Sequence, residues 1–313
     1  MPEIDPARIR TVPVAARPNK VHAEAFARPP GGDTSFSAFL ASLPHILEAR
    51  SFLEIVDAVV HAARERRAVV CMAGGHVVKT GLAPLIIELV RRGVITHIAS
   101  NGSTAIHDYE IARWGGTSED VEAGLADGTF GMAEETGRGM NEAITRGAAD
   151  GLGLGESLAR DLAERSDLVA PELSLLLAAR QHGLSFTVHS ALGAEIIHQH
   201  PATDGAAIGQ TSHTDFLRLS AHLARLDGGV VLNIGSAVMM PEVFLKALTV
   251  CRNVHGGTPR RFVAADFDMI RHYRPRMNVV ERPTRSGGGR GYQITGHHEL
   301  MIPLLAWAVL DRL

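Results

Sequence analysis

The chain is poor in cysteine, and its acidic and basic residues nearly balance. Its two cysteines, Cys71 and Cys251, lie in apolar runs, so we predict buried thiols and no disulfide framework. The net charge of −3 gives no indication of a nucleic-acid or membrane partner. No stretch approaches the roughly 18 apolar residues of a membrane-spanning helix. The first residues lack the apolar segment of a signal peptide, so we expect a cytoplasmic protein.

Lysine is scarce as well. Three lysines, Lys20, Lys79 and Lys246, stand against 28 arginines in 313 residues. The remaining composition, 45% hydrophobic and 21% charged, is that of a globular protein with a full core. The chain also holds 16 histidines and 32 glycines, which are the residue types to follow in a search for a site.

Prolines set the N-terminal segment apart from the rest of the chain. Their density excludes a long helix there and predicts an extended arm over residues 1–35. We expect residues 36–313 to form a single α/β domain. The prolines of the arm are Pro2, Pro6, Pro13, Pro18, Pro29 and Pro30.

Short apolar runs alternate with helical patterns along this domain. Helices are predicted from Phe52, over 82–92, at several places in 117–182, from Thr214, from Pro241 and at the C-terminus. A glycine-rich loop, Ser286 to Gly291, precedes the last of them. The alternation predicts a doubly wound, mainly parallel sheet flanked by helices, of Rossmann-like type. The predicted strands are 68–73, 94–99, 185–190, 229–234 and 261–266.

The carboxyl ends of these strands are polar and rich in glycine. Such ends meet at one edge of a parallel sheet, where ligands bind, so we predict one shared cleft. The segments Gly74–Gly81 and Gly235–Glu242 are the best candidates for a phosphate contact. Neither matches the GxGxxG or Walker A pattern, and both could equally be tight turns that fix helix packing.

A metal site is the other hypothesis that the histidines raise. His198 and His200 lie near His189 and Asp204 in sequence, and His297-His298-Glu299 follows later. The spacing matches no metal motif that we recognise, so structural or substrate-contacting histidines are favoured. Lys79 follows a strand-end loop and could face the cleft, whereas Lys246 has Glu242 as an ordinary helix partner.

The order of these segments resembles that of the deoxyhypusine synthase family from about Val69 to Leu305. AGGHVVKTG (73–81) resembles the family's NAD-contacting loop, and ASNGSTAIHD (99–108) its threonine-alanine-glycine-glycine loop. PATDGAAIG (201–209) is similar to the TDG motif, GSAVMMPE (235–242) to the glycine triplet, and AADFDMI (264–270) to the EFDGS segment. HHELMIPLLAWAVL, from His297, resembles the closing helix.

The resemblance implies a homo-oligomer, dimer or tetramer, that binds NAD and a small molecule. It places Asp204 and Asp268 at the family's active-site aspartates, and His107 where the family has an acid. The catalytic candidates are Lys79, His107, Asp204, Asp268 and His297. The cofactor-binding candidates are Gly74, Gly75, His76, Thr80, Asn101, Gly102, Ser103, Asp108, Gly235 and Ser236.

One departure bears directly on the reaction. The family transfers a butylamine group through an imine on a lysine that precedes the last helix, but this chain has no lysine beyond Lys246. Residues 282–292 read RPTRSGGGRGY, and arginine cannot form the imine because its guanidinium stays protonated. The family's lysine-histidine pair is also replaced, by Met240-Pro241. We therefore expect no deoxyhypusine synthase activity.

Three hypotheses remain. The first is an NAD-dependent transferase or oxidoreductase acting on a small amine or amino acid, with Asp204 and Asp268 receiving the amine and histidines exchanging protons. Arg274 or Arg282 could receive a carboxylate. The second is a metal- or His/Asp-dependent lyase or hydrolase in the same cleft. The third is a non-catalytic nucleotide-binding regulatory protein.

Overall fold

The computed structural model describes residues 1–285 and 287–313. Their contacts form two compact units, Met1–Ser51 and Phe52–Leu313. The first unit contains short 3₁₀ turns, the helix α1 (Phe36–Ser42), which begins at the capping side chain of Ser35, and the first residues of α2 (Leu47–Arg64). The predicted division into an arm to residue 35 and a domain from residue 36 stays a prediction.

The second unit is built on a parallel sheet. In the described part of the chain, six strands pair in the order β3-β2-β1-β4-β5-β6, and each pairing is parallel. The prediction of a doubly wound parallel α/β fold is therefore confirmed. The strands are β1 (Val69–Ala73), β2 (His97–Asn101), β3 (Ser185–His189), β4 (Val230–Ile234), β5 (Val263–Asp268) and β6 (Arg290–Thr295).

Helices alternate with the strands along the chain and flank the sheet. They are α2 (Leu47–Arg64), α3 (His76–Lys79), α4 (Ala83–Arg91), α5 (Gly102–Trp114), α6 (Val121–Asp127), α7 (Glu134–Ala149), α8 (Leu154–Ala163), α9 (Leu175–Gln181), α10 (Gly205–His222), α11 (Met239–Val254), α12 (Tyr273–Pro275), α13 (Arg282–Arg285) and α14 (His298–Arg312). A π-helical turn, Arg276–Glu281, joins α12 to α13.

The core on one face of the sheet shows why the apolar runs became strands. Side chains of β1, β4 and β5 alternate toward this face, where they pack against α10, α11 and the π-helical turn. Burial of these aliphatic groups supplies the main free energy for docking the helices. Members of the cluster include Val70, Met72, Val231, Ala264, Leu219, Phe244, Leu248 and Val279.

Three strands differ from the sequence prediction. β5 is Val263–Asp268, two residues later at each end than the predicted 261–266. β2 begins at His97, not at residue 94, because its register with β1 pairs His97 with Val70 and Ser100 with Ala73. β6 occupies residues 290–295, partly where a glycine-rich loop is predicted. It is an edge strand with one fully buried side chain, Ile294, so it carries no apolar run. Ser286, the first residue of the predicted loop, lies outside the described residues.

Two helical predictions also change. α10 begins at Gly205, well before Thr214, because the Asp204 carboxylate caps it by accepting hydrogen bonds from the amides of Ala206 and Ala207. Residues 117–182 form separate helices, α6 to α9, divided by glycine turns such as Gly128 and Gly151. The prediction that this segment is helical is thus confirmed, but the segment is divided into more helices than predicted.

Candidate functional site

The strand order places the topological switch point between β1 and β4. In doubly wound sheets the chain leaves such a pair toward opposite sides, which opens a crevice beyond the carboxyl ends of the two strands. A groove of about 410 Å³ lies there. It contains many of the predicted residues, and its lining is Gly74, Gly75, His76, Lys79, Asn101, Ser103, His107, Gly235, Ser236, Ala237, Val238 and Met239.

Glycines form the floor of this groove for steric reasons. A Cβ atom on Gly74 would stand 2.1 Å from the carbonyl oxygen of Gly235, and one on Gly75 would stand 2.7 Å from Oγ of Ser103. Gly235 also has a φ of +65°, which side-chain-bearing residues rarely adopt. The two strand-end loops therefore approach each other through bare backbone.

A second cavity, of about 210 Å³, adjoins the groove. Lys79, Ser103 and His107 line both spaces and form their common wall. The rest of the second cavity is lined by both apolar side chains and carboxylates. These further lining residues are Ile106, Glu110, Ser118, Glu119, Val121, Phe130, Ala194, Glu195 and Ile196.

The N-terminus of α5, which begins at the end of β2, is already occupied by side chains of the protein. The Asn101 Oδ1 atom accepts a hydrogen bond from the Thr104 amide at 3.3 Å, and the Glu195 carboxylate accepts one from the Gly102 amide at 3.1 Å. A Cβ atom on Gly102 would lie 2.1 Å from that carboxylate. Gly102, a predicted cofactor residue, therefore contacts Glu195, and the helix dipole is met by an internal negative charge.

His107 is the titratable side chain at the common wall. Its Nδ1 atom lies 2.7 Å from Oγ1 of Thr117. Burial, together with the charges of Lys79 and His76, lowers the pKa of His107 to about 4. The ring is therefore neutral near pH 7, with one nitrogen free to accept a proton, and the lowered pKa also makes it a weaker base than an ordinary histidine.

Asp108 and Thr80, predicted to contact a cofactor, are used inside the protein. The Asp108 carboxylate is fully buried and accepts hydrogen bonds from the Ser174 hydroxyl and the amides of Leu175 and Leu176. It thereby caps α9, and burial raises its pKa to about 6. The Thr80 hydroxyl donates to the carbonyl of His76 at 2.7 Å. Neither side chain lines the groove.

Three of the catalytic candidates also lie away from the two cavities. Asp204 is the exposed cap of α10. Asp268, at the end of β5, is buried and accepts a hydrogen bond from the Met269 amide. His297 is an exposed residue before α14, with Nδ1 3.7 Å from a Glu299 oxygen. The structure thus brings Lys79 and His107 together and separates these three from them.

The histidines of the alternative metal hypothesis already have protein partners. The His200 ring lies 3.0 Å from a Glu134 oxygen and accepts from the Ala202 amide. His198 accepts from the Gly193 amide and lies 3.1 Å from Glu195. Across residues 1–285 and 287–313, no group of three or more His, Cys, Asp or Glu side chains is arranged to hold a metal ion.

Several residues of the site lie outside the positions predicted one by one from the sequence. Glu110 follows His107 by three positions on α5 and could have been found from that helical spacing. Thr117 and Glu195 could not, since they reach the site from a chain reversal and from a distant loop. Ala237, Val238 and Met239 were not named singly, but they belong to the predicted segment Gly235–Glu242, and they line the groove because the turn after β4 continues along its wall.

A separate hollow of about 430 Å³ lies at the opposite edge of the sheet. It is lined by the residues before or at the start of β4, β5 and β6, including Gly229, Phe262 and Arg290. Parallel sheets bind ligands at the carboxyl ends of their strands, so we assign the candidate site to the groove and not to this hollow.

Comparisons with known proteins identify the fold. No protein-family model matches the chain, and no curated protein is significantly similar to it in sequence. The fold is similar to that of a LOR/SDH-type protein from Methanococcus maripaludis S2, with 13% identity, 84% of this chain and 69% of that chain covered, and a TM-score of 0.52. A protein from Entamoeba histolytica assigned as a deoxyhypusine synthase gives 10% identity, 88% and 93% coverage, and a TM-score of 0.51.

A third similar structure is AgrE, solved as a ternary complex with ornithine and NAD⁺. It is 14% identical over 86% of this chain, with a TM-score of 0.51. The chain spans 34% of the length of AgrE, about a third. The protein therefore shares a deoxyhypusine-synthase-like α/β fold with these structures. Within the described residues, no helix is both long and apolar enough to cross a membrane.

Proposed function

We propose that the chain binds a nicotinamide dinucleotide in the groove between β1 and β4 and acts on a small amine or amino-acid-like molecule in the adjoining cavity. The reaction would be of the oxidoreductase or transferase type. The observation that carries this proposal is the common wall, because Lys79, Ser103 and His107 line both spaces. Molecules on the two sides of that wall would meet at the same side chains.

The residues of the groove fit a dinucleotide. Its volume of about 410 Å³ falls within the roughly 300–1,000 Å³ of small-molecule and cofactor sites. Backbone walls at Gly74 and Gly235 leave room for close approach. The α11 helix begins at Met239 in the groove lining, so the positive end of its dipole faces a phosphate there. Of its first amides, that of Met240 donates to the Ser236 hydroxyl, and Pro241 has none. The fold shared with AgrE, which binds NAD⁺, supports the same assignment. When bound, such a cofactor would supply a hydride acceptor or donor.

The second cavity supports the substrate class. Apolar surface from Ile106, Phe130 and Ile196 suits a short carbon chain. The carboxylate of Glu119 at its rim suits an amine, and the Lys79 ammonium suits a carboxylate. An amino acid carries all three of these features.

His107 is the group that we propose to exchange a proton with the substrate. Its ring is neutral near pH 7, since its pKa is lowered to about 4. Asp204, Asp268 and His297 line neither cavity, and they have no role in the proposal. Because no lysine follows Lys246, the imine route of deoxyhypusine synthases is not part of it either.

The proposal can be tested by calorimetric titration with NAD⁺ and NADH. Val238 is 47% exposed on the groove wall just before α11, so Val238→Glu places a negative charge where we expect a phosphate. An acidic residue at a helix N-terminus favours folding, so the variant should stay folded. We expect its affinity to fall at least about tenfold, or about 1.4 kcal/mol.

Val250→Glu is the matched control. It adds the same charge to a 37% exposed valine on α11, roughly 18 Å farther along the helix at 1.5 Å per residue. It should leave the affinity for NAD⁺ unchanged. If the wild-type chain binds neither NAD⁺ nor NADH, or if both variants lose affinity equally, the groove is not a dinucleotide site.

We also propose that the chain assembles as a homo-oligomer, a dimer or a tetramer. The chain exposes large apolar side chains on several surface elements, among them Leu300 on α14 and Leu125 on α6. Light scattering on the purified chain would decide. A monomeric mass at micromolar concentration would contradict this part of the proposal.

A further inference from the structure

Three side chains form a hydrogen-bonded relay behind the common wall of the two cavities. The hydroxyl of Thr117 donates to Oε2 of Glu110 at 2.5 Å, and the same hydroxyl oxygen lies 2.7 Å from Nδ1 of His107. The other oxygen of Glu110, Oε1, accepts from the Thr136 hydroxyl at 3.0 Å. Both carboxylate oxygens therefore have a threonine partner.

Counting protons assigns the direction of each bond. The Thr117 hydroxyl has a single proton, which the geometry directs to the Glu110 carboxylate. Its lone pairs are then left for His107, so the Nδ1 atom must carry the proton of that contact. In the neutral ring, Nε2 is consequently unprotonated and can only accept.

The fold brings the relay together from separate segments. His107 and Glu110 lie three residues apart on α5, which ends at Gly115 with a left-handed φ of +71°. The reversal carries Thr117 back beside the helix, and the next residue, Ser118, has a φ of +70°. A non-glycine residue in this region costs about 1 kcal/mol or more. Such strain persists where surrounding contacts hold the backbone in place, as the bonds of Thr117 do here.

The opposite edge of the His107 ring faces the cavities. The Cδ2 atom, which is bonded to Nε2, lies 3.3 Å from the position of a Cβ atom on Gly75 in the groove lining. Among the described residues, Nε2 itself has no hydrogen-bond partner. The charged and titratable groups around it are His76, Lys79 and the carboxylates of the second cavity, Glu110, Glu119 and Glu195.

We propose that Thr117 and Glu110 are positioning residues that hold His107 in the Nδ1–H tautomer, so that Nε2 is the proton acceptor presented to a molecule bound at the common wall. The inference deepens the proposed function and rests on it for the identity of that molecule. In the proton transfer, Nε2 gains one proton from a bound N–H or O–H group. The Nδ1 proton stays on its bond to Thr117, and solvent later takes the proton from Nε2.

The tautomer can be measured without any cofactor or substrate. Long-range ¹H–¹⁵N spectra of the imidazole side chains distinguish a protonated from an unprotonated ring nitrogen at pH 7. The resonances of His107 are those lost in His107→Gln. We expect wild-type His107 to be the Nδ1–H tautomer, and Thr117→Val to shift it toward the Nε2–H tautomer. Thr117→Ser, which keeps the hydroxyl, should restore the wild-type pattern.

Glu110→Gln is the second variant, in case Thr117→Val disturbs the fold. Its amide can donate to Thr117, which frees the Thr117 proton for Nδ1 of His107, so the Nε2–H population should rise. The proposal would be overturned if wild-type His107 is the Nε2–H tautomer. It would also be overturned if neither variant changes the tautomer found in the wild type. If the wild-type chain binds neither NAD⁺ nor NADH in the calorimetric test, the proposed function fails, and the tautomer result still stands.

Discussion

The backbones of Gly74 and Gly235 touch at the carboxyl ends of neighbouring strands. Gly74 donates to the carbonyl of Ile234 at 2.9 Å, and a Cβ atom on Gly74 would stand 2.1 Å from the Gly235 carbonyl oxygen. The ends of β1 and β4 are thus held together by contacts between main chains. The floor of the groove depends on this contact, because the loops that line it diverge immediately afterwards.

We therefore expect Gly74→Ala to destabilise the protein strongly. The added methyl group would meet rigid backbone, so the strand ends must separate, at a cost of about 3 kcal/mol or more in the free energy of unfolding. Chemical denaturation would measure it. Gly209→Ala is the control, since Gly209 lies within α10 with nothing near its Cβ position. The Gly209→Ala variant should gain about 0.5–1 kcal/mol in the free energy of unfolding. A mild effect of Gly74→Ala would mean that the strand ends can separate freely.

The strand-end part of the site could be predicted from sequence because it is local. A buried strand followed by Gly74-Gly75, or by Gly235-Ser236, indicates its own position in a parallel sheet. The same holds for His107, which follows the end of β2 by one turn and a half of helix. For these residues, knowledge of the neighbouring residues is enough.

The rest of the site depends on contacts between distant segments. Glu195 reaches the amide of Gly102 across 93 positions, and Thr117 acts only because the chain reverses at Gly115. The sequence did not predict β6 for the same reason, since pairing with β5 makes a strand of RGYQIT, which has no apolar run. Asp108 shows the converse. Its position in the sequence favoured a contact with the cofactor, but its carboxylate is buried against α9 and does not reach the groove.

Acid should destabilise the protein through its buried histidines. Burial lowers the pKa of His189 to about 3, below the ordinary value of 6.5, and its ring lies against the Thr187 hydroxyl. The unfolded chain therefore binds a proton more readily, so stability is full above pH 6.5 and falls as the pH drops toward 3. Between pH 7 and pH 5, the protonation of His189 alone should lower the free energy of unfolding by about 2 kcal/mol.

The comparison of His189→Asn with the wild type isolates this contribution. Denaturant unfolding at pH 7 and pH 5 should show a smaller loss of stability in the variant, by about 2 kcal/mol. His182→Asn, which changes an exposed histidine after α9, should lose as much as the wild type. Equal losses in all three proteins would show that His189 titrates normally.

Asp215 should show the opposite dependence on pH. Its carboxylate is fully buried and accepts hydrogen bonds from the amides of Gly155 and Val188, at 2.9 and 2.8 Å. Burial raises its pKa to about 7, so the folded state holds a proton that the unfolded chain releases near pH 4. The stability from this group is present at low pH and is lost as the pH rises toward 7.

Two substitutions separate the charge of Asp215 from its hydrogen bonds. Asp215→Asn keeps an acceptor for both amides, so we expect little loss at pH 5 and a relative gain at pH 8. Asp215→Leu leaves the amides of Gly155 and Val188 buried without an acceptor, at about 1–3 kcal/mol for each. Unfolding curves at the two pH values would test both. An equally stable Leu variant would mean that the edge strand β3 does not need these bonds.

Glu195 should stabilise the first turn of α5. Its Oε1 atom accepts from the amides of Gly102 and Ala191, and its Oε2 atom accepts from the Ser190 hydroxyl and lies 3.1 Å from Nε2 of His198. His198 accepts the Gly193 amide through Nδ1, so Nε2 carries its proton. Glu195→Gln would remove the charge at the helix terminus and set an amide donor against that N–H. We expect a loss of about 1–3 kcal/mol.

Hydrogen exchange followed by mass spectrometry would locate this effect. Exchange should accelerate in the segment 190–199 and in the first turn of α5, while β4 and β5 keep their protection. Glu122→Gln, which changes an exposed carboxylate in the first turn of α6, should leave both segments as they are. If Glu195→Gln leaves exchange at residues 102–104 unchanged, the cap by Asn101 alone is sufficient to hold the end of α5, and the loop carrying Glu195 contributes only its share of the cavity wall.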